Sequence, residues 1–451
     1  MPTPLIPARC IAVLVAAIAA CGCADAPEPG GGRVLLVGID GASPLLAMPL
    51  IEAGRLPQLA QLAREGAAGP LASLSPPPYF SPRIWNTVST GKHPRAHRIL
   101  GFVRREEDGR RRLYRSTDRV GAAIWNIFSS EGRRVAVVNW WTSYPPAVVN
   151  GAIVSDYFFA DQAEELAEFW KANPAGVGAT VSPPELEAPL REVASGGGPL
   201  VPFPDPFASG REFPDTVQID DLNQVFERDT QIARIALHLE KTLAPDLLVV
   251  FLPGIDRVSH HLWGMLRPED LFADEMRDAD RARELSELYR ETYAKRSPPP
   301  EEQRAHAAEA LRSYYEYTDR LIGELLERYG PEDLVLVVSD HGFEWGLKRG
   351  VTGLHETERS QNGVIFARGP GIAPGQTAEG VGVADVTPTI LAWTGYPQAR
   401  DMVGRPAPFL RPGALPPPID TYDLDIVHLE AVESDVEREI EAELRVLGYI
   451  E

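Results

Sequence analysis

The chain has 451 residues, enough to bury a substantial core, and its 44% hydrophobic and 24% charged residues are typical of a globular protein. Its formal net charge is −20. This acidic balance argues against binding to a nucleic-acid polymer, because proteins that do so present basic patches to the phosphate backbone.

The amino terminus is predicted to direct export. Residues 1–20 contain one positive charge, Arg9, and an apolar run too short to span a bilayer, so we interpret them as a signal peptide. The sequence Ile18-Ala19-Ala20-Cys21 resembles a bacterial lipobox; a plain secretory signal is the alternative. Residues 21–32 then predict a flexible tether. We expect a lipoprotein anchored to a membrane through lipid on Cys21, with its body in the periplasm or at the cell surface.

Buried strands alternate with amphipathic helices along the rest of the chain. Continuous apolar runs predict strands that are covered on both faces, at residues 34–39, 135–140, 246–252 and 333–340. After the first run, Ser43 and Pro44 predict the start of a helix. The alternation indicates an α/β fold with a mostly parallel central sheet and helices on both faces.

Two stretches interrupt this alternation within a predicted catalytic domain at 33–415. The region near 160–235 contains a segment rich in Pro and Gly, and the region near 265–303 is strongly charged. Both are predicted to be cap-type insertions over the site. Residues 416–451 form a predicted tail, with a surface helix over 433–450.

Aspartate and histidine residues collect where the predicted strands end. These residues are Asp40, Asp256, His260, Asp340, His341 and His355. In open α/β sheets, ligands bind beyond the carboxyl ends of the strands, and a helix after the third strand would place Asp256 and His260 on one face. Nitrogen and oxygen donors suit zinc better than calcium, and six ligands exceed one tetrahedral site. We therefore predict two divalent metal ions, most simply Zn²⁺.

The order of motifs resembles the alkaline phosphatase superfamily, in particular its type I phosphodiesterase/nucleotide pyrophosphatase branch. The motifs that carry the resemblance are VGIDG (37–41), SPRIWNTVSTGKHP (81–94), FLPGIDRVSHHLWG (251–264), VVSDHGF (337–343), GLHETE (353–358), FARGPGI (366–372) and DVTPTIL (385–391). The resemblance implies that Asp256, His260 and His355 bind one zinc ion. It implies that Asp40, Asp340 and His341 bind the other, together with the oxygen of the nucleophile.

The family's nucleophile lies nine residues before the Thr of a Thr-Gly pair, which is Ser81 here. No acid or histidine adjoins Ser81 in the sequence, so a metal would have to replace the general base. We expect Ser81 to be the cap of a short helix with Pro82 at its first position, where anions are favoured. A serine that only caps the helix is the alternative. The resemblance implies attack by Ser81 on phosphorus and a covalent phospho-enzyme.

One element of the family pattern is missing. Members of this branch commonly have Asn or Asp about twenty residues past the nucleophile, where this chain has Gly101 and Phe102. Arg83 and Lys92 are the candidates to bind substrate instead.

The resemblance implies a small phosphorylated substrate, and its preference for diesters or nucleotide pyrophosphates comes from the branch. A phosphomonoesterase of the same fold is the main alternative. A sulfatase-like hydrolase is disfavoured, because the sulfatase motif needs Pro two residues, and Arg four residues, after its Cys or Ser. An interpretation as a mutase of the superfamily is disfavoured, because the chain is predicted to be exported. A non-catalytic cell-surface binding protein is a further alternative.

Overall fold

The computed structural model describes residues 30–162, 178–197, 200–207, 213–214, 217, 219–422, 424–431, 440–442, 444–445 and 449–450. The predicted signal peptide, Cys21 and most of the tether lie outside the described residues, as does most of the predicted C-terminal helix. No helix within the described part of the chain combines the length and apolar character needed to cross a membrane.

Thirteen strands are found among the described residues. They are β1 (Val34–Ile39), β2 (Ala67–Ala72), β3 (Val103–Arg105), β4 (Arg111–Leu113), β5 (Val135–Val138), β6 (Gly151–Val154), β7 (Val181–Ser182), β8 (Leu247–Leu252), β9 (Leu334–Ser339), β10 (Glu344–Lys348), β11 (Val351–Leu354), β12 (Asn362–Arg368) and β13 (Gln376–Thr377). Nine of these strands share one sheet, and the other four form two hairpins, β3–β4 and β10–β11.

The α-helices lie mostly between the strands of the sheet. They are α1 (Pro44–Glu52), α2 (Pro57–Glu65), α3 (Ser81–Thr90), α4 (Pro94–His97), α5 (Ile124–Ser130), α6 (Glu187–Ala194), α7 (Ile219–Leu243), α8 (Gly254–Leu262), α9 (Pro268–Leu271), α10 (Ala279–Tyr293), α11 (Glu301–Leu326) and α12 (Val386–Thr394). As predicted, α1 has Ser43 as its cap, whose hydroxyl accepts a hydrogen bond from the N–H of Leu45.

The large sheet has the strand order β13-β2-β12-β9-β1-β8-β5-β6-β7. Its five central strands, from β9 to β6, are parallel to one another, while β12 and β7 run antiparallel to their neighbours in this group. In the centre, Val37 of β1 pairs with Val250 of β8 and with Val337 of β9. The prediction of a mostly parallel central sheet is confirmed.

Both faces of the sheet are covered, which explains why the strands are apolar throughout. Leu35, Val37 and Ile39 of β1 belong to a core that includes residues of α1, α2, α7, α8 and α11. The alternate residues, Val34 and Leu36, belong to a second core with residues of α3, α5 and α12. The predicted placement of helices on both faces is therefore confirmed.

The regions predicted as insertions contribute in different ways. Helix α7, which begins inside the region near 160–235, packs onto β5 and β8. In the region near 265–303, Tyr289 of α10 packs its ring 5.3 Å from that of Trp345 in β10. The boundaries of the catalytic domain and its insertions stay a prediction.

Candidate active site

Three neighbouring parallel strands end at the same edge of the sheet and bring the predicted ligands together. Asp40 follows β1, and Asp340 and His341 follow β9 directly. His341 Nε2 lies 3.4 Å from Asp40 Oδ1 and 3.4 Å from Asp340 Oδ2. Gly41, next to Asp40, has a φ of +70°, and a Cβ there would lie 2.9 Å from the Cα of Asp256. A larger residue would therefore clash with the backbone of the helix that carries Asp256.

Helix α8, which follows β8, carries Asp256 and His260 one turn apart on the face towards these strand ends. His260 Nε2 lies 3.6 Å from Asp256 Oδ1, so the predicted arrangement on one helix face is found. The Nδ1–H of His260 donates to the carbonyl oxygen of Gly353 at 2.9 Å, which turns Nε2 towards the site. His355 follows the β10–β11 hairpin, and its Nε2 lies 3.8 Å from Asp256 Oδ1.

The start of α8 is fixed by a buried carboxyl group. Tyr314 Oη donates to Asp229 Oδ2 at 2.9 Å, and Asp229 also interacts with the backbone N–H of Gly254, the first residue of α8. A Cβ on Gly254 would lie 2.0 Å from Tyr314 Oη. Burial raises the pKa of Asp229 to about 7. This buried group therefore sets the position of the helix that carries Asp256.

Replacing Asp229 by asparagine should flatten the pH dependence of stability. The unfolded carboxyl loses its proton near pH 4, whereas the folded one keeps it to about pH 7, so its stabilising contribution is lost as pH rises across this interval. We expect the free energy of unfolding of Asp229→Asn, taken relative to that of wild type, to be higher at pH 7.5 than at pH 4 by on the order of 3 kcal/mol. Urea unfolding at both pH values measures this difference. The exposed Asp274→Asn serves as control, and an equal offset from wild type at both pH values would contradict the assignment.

The ligand atoms form two overlapping groups that could each hold a cation. Asp40, Asp340 and His341 form one group, and Asp256, His341 and His355 form the other; within each group the ligand atoms lie within 4.8 Å of one another. The first group is the set that the resemblance assigns to one metal. The second differs from the other assigned set, because His341 takes the place of His260.

The chemistry of these atoms fits a divalent cation. Asp40 Oδ1, Asp256 Oδ1, Asp340 Oδ2 and His341 Nε2 are buried and have no hydrogen-bond partner. Buried polar atoms nearly always have a hydrogen-bond partner. Four buried atoms without one, in a single cluster, therefore indicate a common binding partner such as a cation. They are nitrogen and oxygen donors, which zinc and similar metals accept.

The electrostatics of the cluster point the same way. Burial raises the pKa of Asp40 well above its usual range, and the charges of Asp340 and Asp256 raise it further. Burial also raises the pKa values of Asp256 and Asp340. Burial lowers the pKa of His260 to about 3 and that of His355 well below its usual value. The two imidazoles are thus neutral, the form that binds metals, and a cation would relieve the repulsion between the carboxylates.

Ser81 is buried at the N-terminus of α3, in a segment that touches the cluster. The ring of Tyr79 stacks on that of His341 at 6.4 Å, and the N–H of Tyr79 donates to the carbonyl oxygen of His355 at 3.4 Å. The prediction that Ser81 is the helix cap is wrong. Phe80 has the extended backbone of the cap, and Ser81 is the first helical residue. Because a phenylalanine side chain cannot accept hydrogen bonds, the first N–H groups of α3 have no side-chain cap.

The two basic residues predicted to bind substrate lie at opposite ends of α3. Arg83 is in its first turn, and its Nη2 lies 3.5 Å from the carbonyl oxygen of Pro76. Lys92 lies beyond the other end of this ten-residue helix, which is about 15 Å long. Its Nζ donates to Asp401 Oδ2 at 2.6 Å. The structure therefore does not bring Lys92 together with the cluster, and the prediction that it binds substrate finds no support.

Aromatic side chains occupy the place where the family commonly has Asn or Asp. Phe102 packs its ring 5.6 Å from that of Trp141 and 4.8 Å from that of Tyr449. Trp141 Nε1 in turn lies 3.5 Å from Asp40 Oδ2. Sequence reasoning missed both Trp141 and Tyr449, since neither belongs to a motif that would have identified it.

The loop that carries Trp141 is held by one buried carboxylate. Asp156 accepts hydrogen bonds from the backbone N–H groups of Thr142, Ser143 and Tyr144 at 2.8, 3.2 and 3.0 Å. Thr142 has a φ of +57°, a conformation that is costly for a β-branched residue. The Asp156 carboxylate therefore stabilises a strained turn beside Asp40.

Replacing Asp156 by alanine should destabilise the protein. The three backbone donors would lose a charged acceptor, and we expect the free energy of unfolding to fall by about 3 kcal/mol. Asp156→Asn, which keeps one acceptor oxygen, should lose less. Urea unfolding of the two variants measures the difference, and an alanine variant as stable as wild type would show that the turn does not depend on Asp156.

A family model and several solved structures match the chain. The family model for type I phosphodiesterase/nucleotide pyrophosphatase matches residues 34–383, and no curated protein matches the chain. A solved phosphonoacetate hydrolase from Sinorhizobium meliloti 1021, in complex with phosphonoformate, is 18% identical with a TM-score of 0.41, over 71% of this chain and 59% of that one. This chain therefore spans about three-fifths of that enzyme's length.

Two further solved structures are similar. The phosphonate monoester hydrolase SpPMH from Silicibacter pomeroyi is 15% identical with a TM-score of 0.42, over 83% of this chain and 75% of that one. A mutant of the alkaline phosphatase PafA is 10% identical with a TM-score of 0.47, over 84% of this chain and 98% of that one. The family model covers more than three-quarters of the 451 residues, and the resemblance predicted from the motifs is confirmed. The chain belongs to the type I phosphodiesterase/nucleotide pyrophosphatase family, a family of phosphoric ester hydrolases.

Proposed function

We propose that the protein hydrolyses small phosphate esters and prefers diesters or nucleotide pyrophosphates to monoesters. Ser81 would be the nucleophile, and two zinc ions would be the cofactors. One observation carries the proposal: three carboxylates and three imidazoles are buried together beside the N-terminus of a helix that begins with a serine. The preference for diesters rests on the family alone.

In this proposal the chain divides its ligands between two cations. Asp256, His260 and His355 would hold one cation. Asp40, Asp340 and His341 would hold the other. When bound, the cations would polarise a phosphoryl oxygen and lower the pKa of a hydroxyl group or water. The His260–Gly353 hydrogen bond and the hydrogen bond between His341 Nδ1 and the carbonyl oxygen of Gly342, 3.0 Å, keep both Nε2 atoms directed inwards.

Ser81 would carry out the covalent step. Its Oγ attacks phosphorus in line with the leaving oxygen, the bond from phosphorus to that oxygen breaks, and the leaving group departs with the proton that Ser81 loses. The product is a phosphoseryl enzyme, or a nucleotidyl-type enzyme where the phosphorus keeps a second ester group. Water then attacks the same phosphorus and releases Ser81. The N–H groups at the start of α3, which the side chain of Phe80 cannot satisfy, are suited to stabilise the negative oxygens of the phosphoryl group.

The proposal can be tested by assaying three esters side by side. The purified chain, loaded with Zn²⁺, should hydrolyse bis-p-nitrophenyl phosphate faster than p-nitrophenyl phosphate, and both faster than p-nitrophenyl sulfate. Faster monoester turnover would favour the phosphomonoesterase alternative, and faster sulfate turnover would overturn the proposal in favour of a sulfatase-like enzyme. Failure to bind two equivalents of Zn²⁺, together with no turnover, would favour a non-catalytic binding protein.

We also propose that the protein is exported and anchored to a membrane through lipid on Cys21. The lipobox-like sequence Ile18-Ala19-Ala20-Cys21 supports this, since a cysteine at that position is the residue that would be acylated. Labelled palmitate should enter the wild-type chain and not Cys21→Ser when both are made in a bacterial host, with Cys10→Ser as a matched control. Equal labelling of wild type and Cys21→Ser would contradict the anchor.

A further inference from the structure

The end of the C-terminal tail reaches into the metal-ligand cluster. Tyr449 Oη donates to Asp256 Oδ2 at 2.6 Å. The same oxygen lies 2.7 Å from His260 Nε2 and 3.1 Å from His355 Nε2. These three neighbours are the set that the family resemblance assigns to one metal, so the phenol contacts every member of that set.

The protons available do not satisfy these contacts. A carbonyl oxygen only accepts, so the hydrogen bond to Gly353 requires His260 Nδ1 to carry the proton of the neutral ring, which leaves Nε2 with a lone pair. Tyr449 has one proton, and both Asp256 Oδ2 and His260 Nε2 lie within hydrogen-bond distance of its oxygen. One proton cannot be donated to both of these acceptors at once. A shared cation would satisfy all of these lone pairs.

The spacings between Asp256 and the two histidines are close to those around a tetrahedral cation. Ligand atoms about 2.0–2.2 Å from such a cation lie roughly 3.3–3.6 Å from one another. Asp256 Oδ1 lies 3.6 Å from His260 Nε2 and 3.8 Å from His355 Nε2, and Tyr449 Oη lies 2.6 to 3.1 Å from its three neighbours. The two distances from Asp256 are close to this spacing, whereas the distances from Tyr449 Oη are shorter and are those of hydrogen bonds.

We propose that Tyr449 is the fourth protein group of the metal site formed by Asp256, His260 and His355, and that it closes this site to substrate. The inference rests on the proposed function for the presence of the cation. Metal sites with four protein groups are closed, whereas catalytic sites keep one position open. Tyr449 must therefore leave before an anionic substrate can reach this cation.

The contacts of Tyr449 and Ile450 place this closure beside a cavity. Arg349 Nη1 donates to the carbonyl oxygen of Ile450 at 2.7 Å, and the ring of Tyr449 packs on Phe102. Lys348, Arg349, His355 and the two tail residues line one cavity of about 450 Å³. An anion that enters this cavity meets the same guanidinium that holds the tail, so substrate binding and release of Tyr449 are coupled.

Tyr449→Phe tests the ligand assignment without substrate, because it removes only the oxygen and keeps the ring against Phe102. The affinity for one of the two Zn²⁺ ions, measured by competition with a chelator, should fall by about tenfold or more. The visible absorption of Co²⁺-loaded protein should change as well. Tyr422→Phe, whose hydroxyl bonds the carbonyl oxygen of Pro397 elsewhere, should match wild type. Unchanged Zn²⁺ affinity and an unchanged Co²⁺ spectrum in Tyr449→Phe would overturn the assignment.

A chain that ends at Gly448 tests closure, since it keeps Arg349 and removes the tail end. Inorganic phosphate should perturb the Co²⁺ spectrum of this variant at about tenfold lower concentration than in wild type. Equal phosphate sensitivity would overturn closure. These readouts need no turnover, so a Co²⁺ spectrum altered in Tyr449→Phe would stand even if no ester were hydrolysed and the proposed function failed.

Discussion

Replacing Ser81 by alanine should lower kcat/KM for bis-p-nitrophenyl phosphate by about 10³-fold or more, because the covalent step loses its nucleophile. The metal content should stay close to wild type, since the six Asp and His ligands remain. Ser81→Thr, which keeps a hydroxyl at the start of α3, should retain most of the turnover. Steady-state kinetics and metal analysis of the same preparations measure both effects.

Ser89→Ala is the matched control for this prediction. Ser89 is buried in the same helix, and its hydroxyl donates to the carbonyl oxygen of Asn86 at 3.3 Å, near the end remote from the cluster. We expect this variant to turn over substrate at nearly the wild-type rate. If Ser81→Ala kept more than a tenth of wild-type kcat/KM, another group would have to be the nucleophile, even with both metals bound.

The central sheet could be predicted because its strands are apolar on both faces. Such runs indicate strands covered by helices on two sides, and the carboxyl ends of parallel neighbours must then meet at one edge. Asp40 and the Asp340-His341 pair follow their strands directly, so their meeting follows from the topology. The positions of Asp256 and His260 required one further prediction, that a helix follows β8 directly.

Local sequence patterns do not determine helix boundaries or the distances between side chains. Ser81 followed by Pro82 is a typical start of a helix, but a shift of one residue in the boundary makes Phe80 the cap. Lys92 is close to Ser81 in sequence, yet a rigid helix separates them and Asp401, 309 residues further on, binds its ammonium. Sequence proximity is therefore a poor guide to which cations reach the site.

Tyr449 could not have been predicted from the sequence. It lies 189 residues after His260 and 193 after Asp256, in a segment with no motif of the family. The packing of its ring on Phe102 and the hydrogen bond from Arg349 to the neighbouring Ile450 hold its hydroxyl at the cluster. Where the family commonly has Asn or Asp, this chain thus has Phe102, whose ring packs against Tyr449.

His341→Ala should weaken the binding of both metal ions, whereas His260→Ala should weaken one. His341 Nε2 lies 3.4 Å from a carboxylate oxygen of both Asp40 and Asp340, and 3.9 Å from Asp256 Oδ1 in the other ligand set. Its ring also stacks on that of His355 at 3.9 Å. Removing it would take a ligand from one site and leave His355, a ligand of the other, without the ring that orients it.

We expect the affinity for each Zn²⁺ in His341→Ala to fall by about tenfold or more, and turnover of the diester to fall with it. Chelator competition followed by metal analysis distinguishes the loss of one equivalent from the loss of two. His238→Ala, at a histidine on α7 that belongs to neither group of ligand atoms, is the control. A His341→Ala protein that lost one equivalent and held the second at wild-type affinity would show that the sites are independent. Loss at both would mean that the stacked histidine pair couples the two cations, so that neither site can be emptied without disturbing the other.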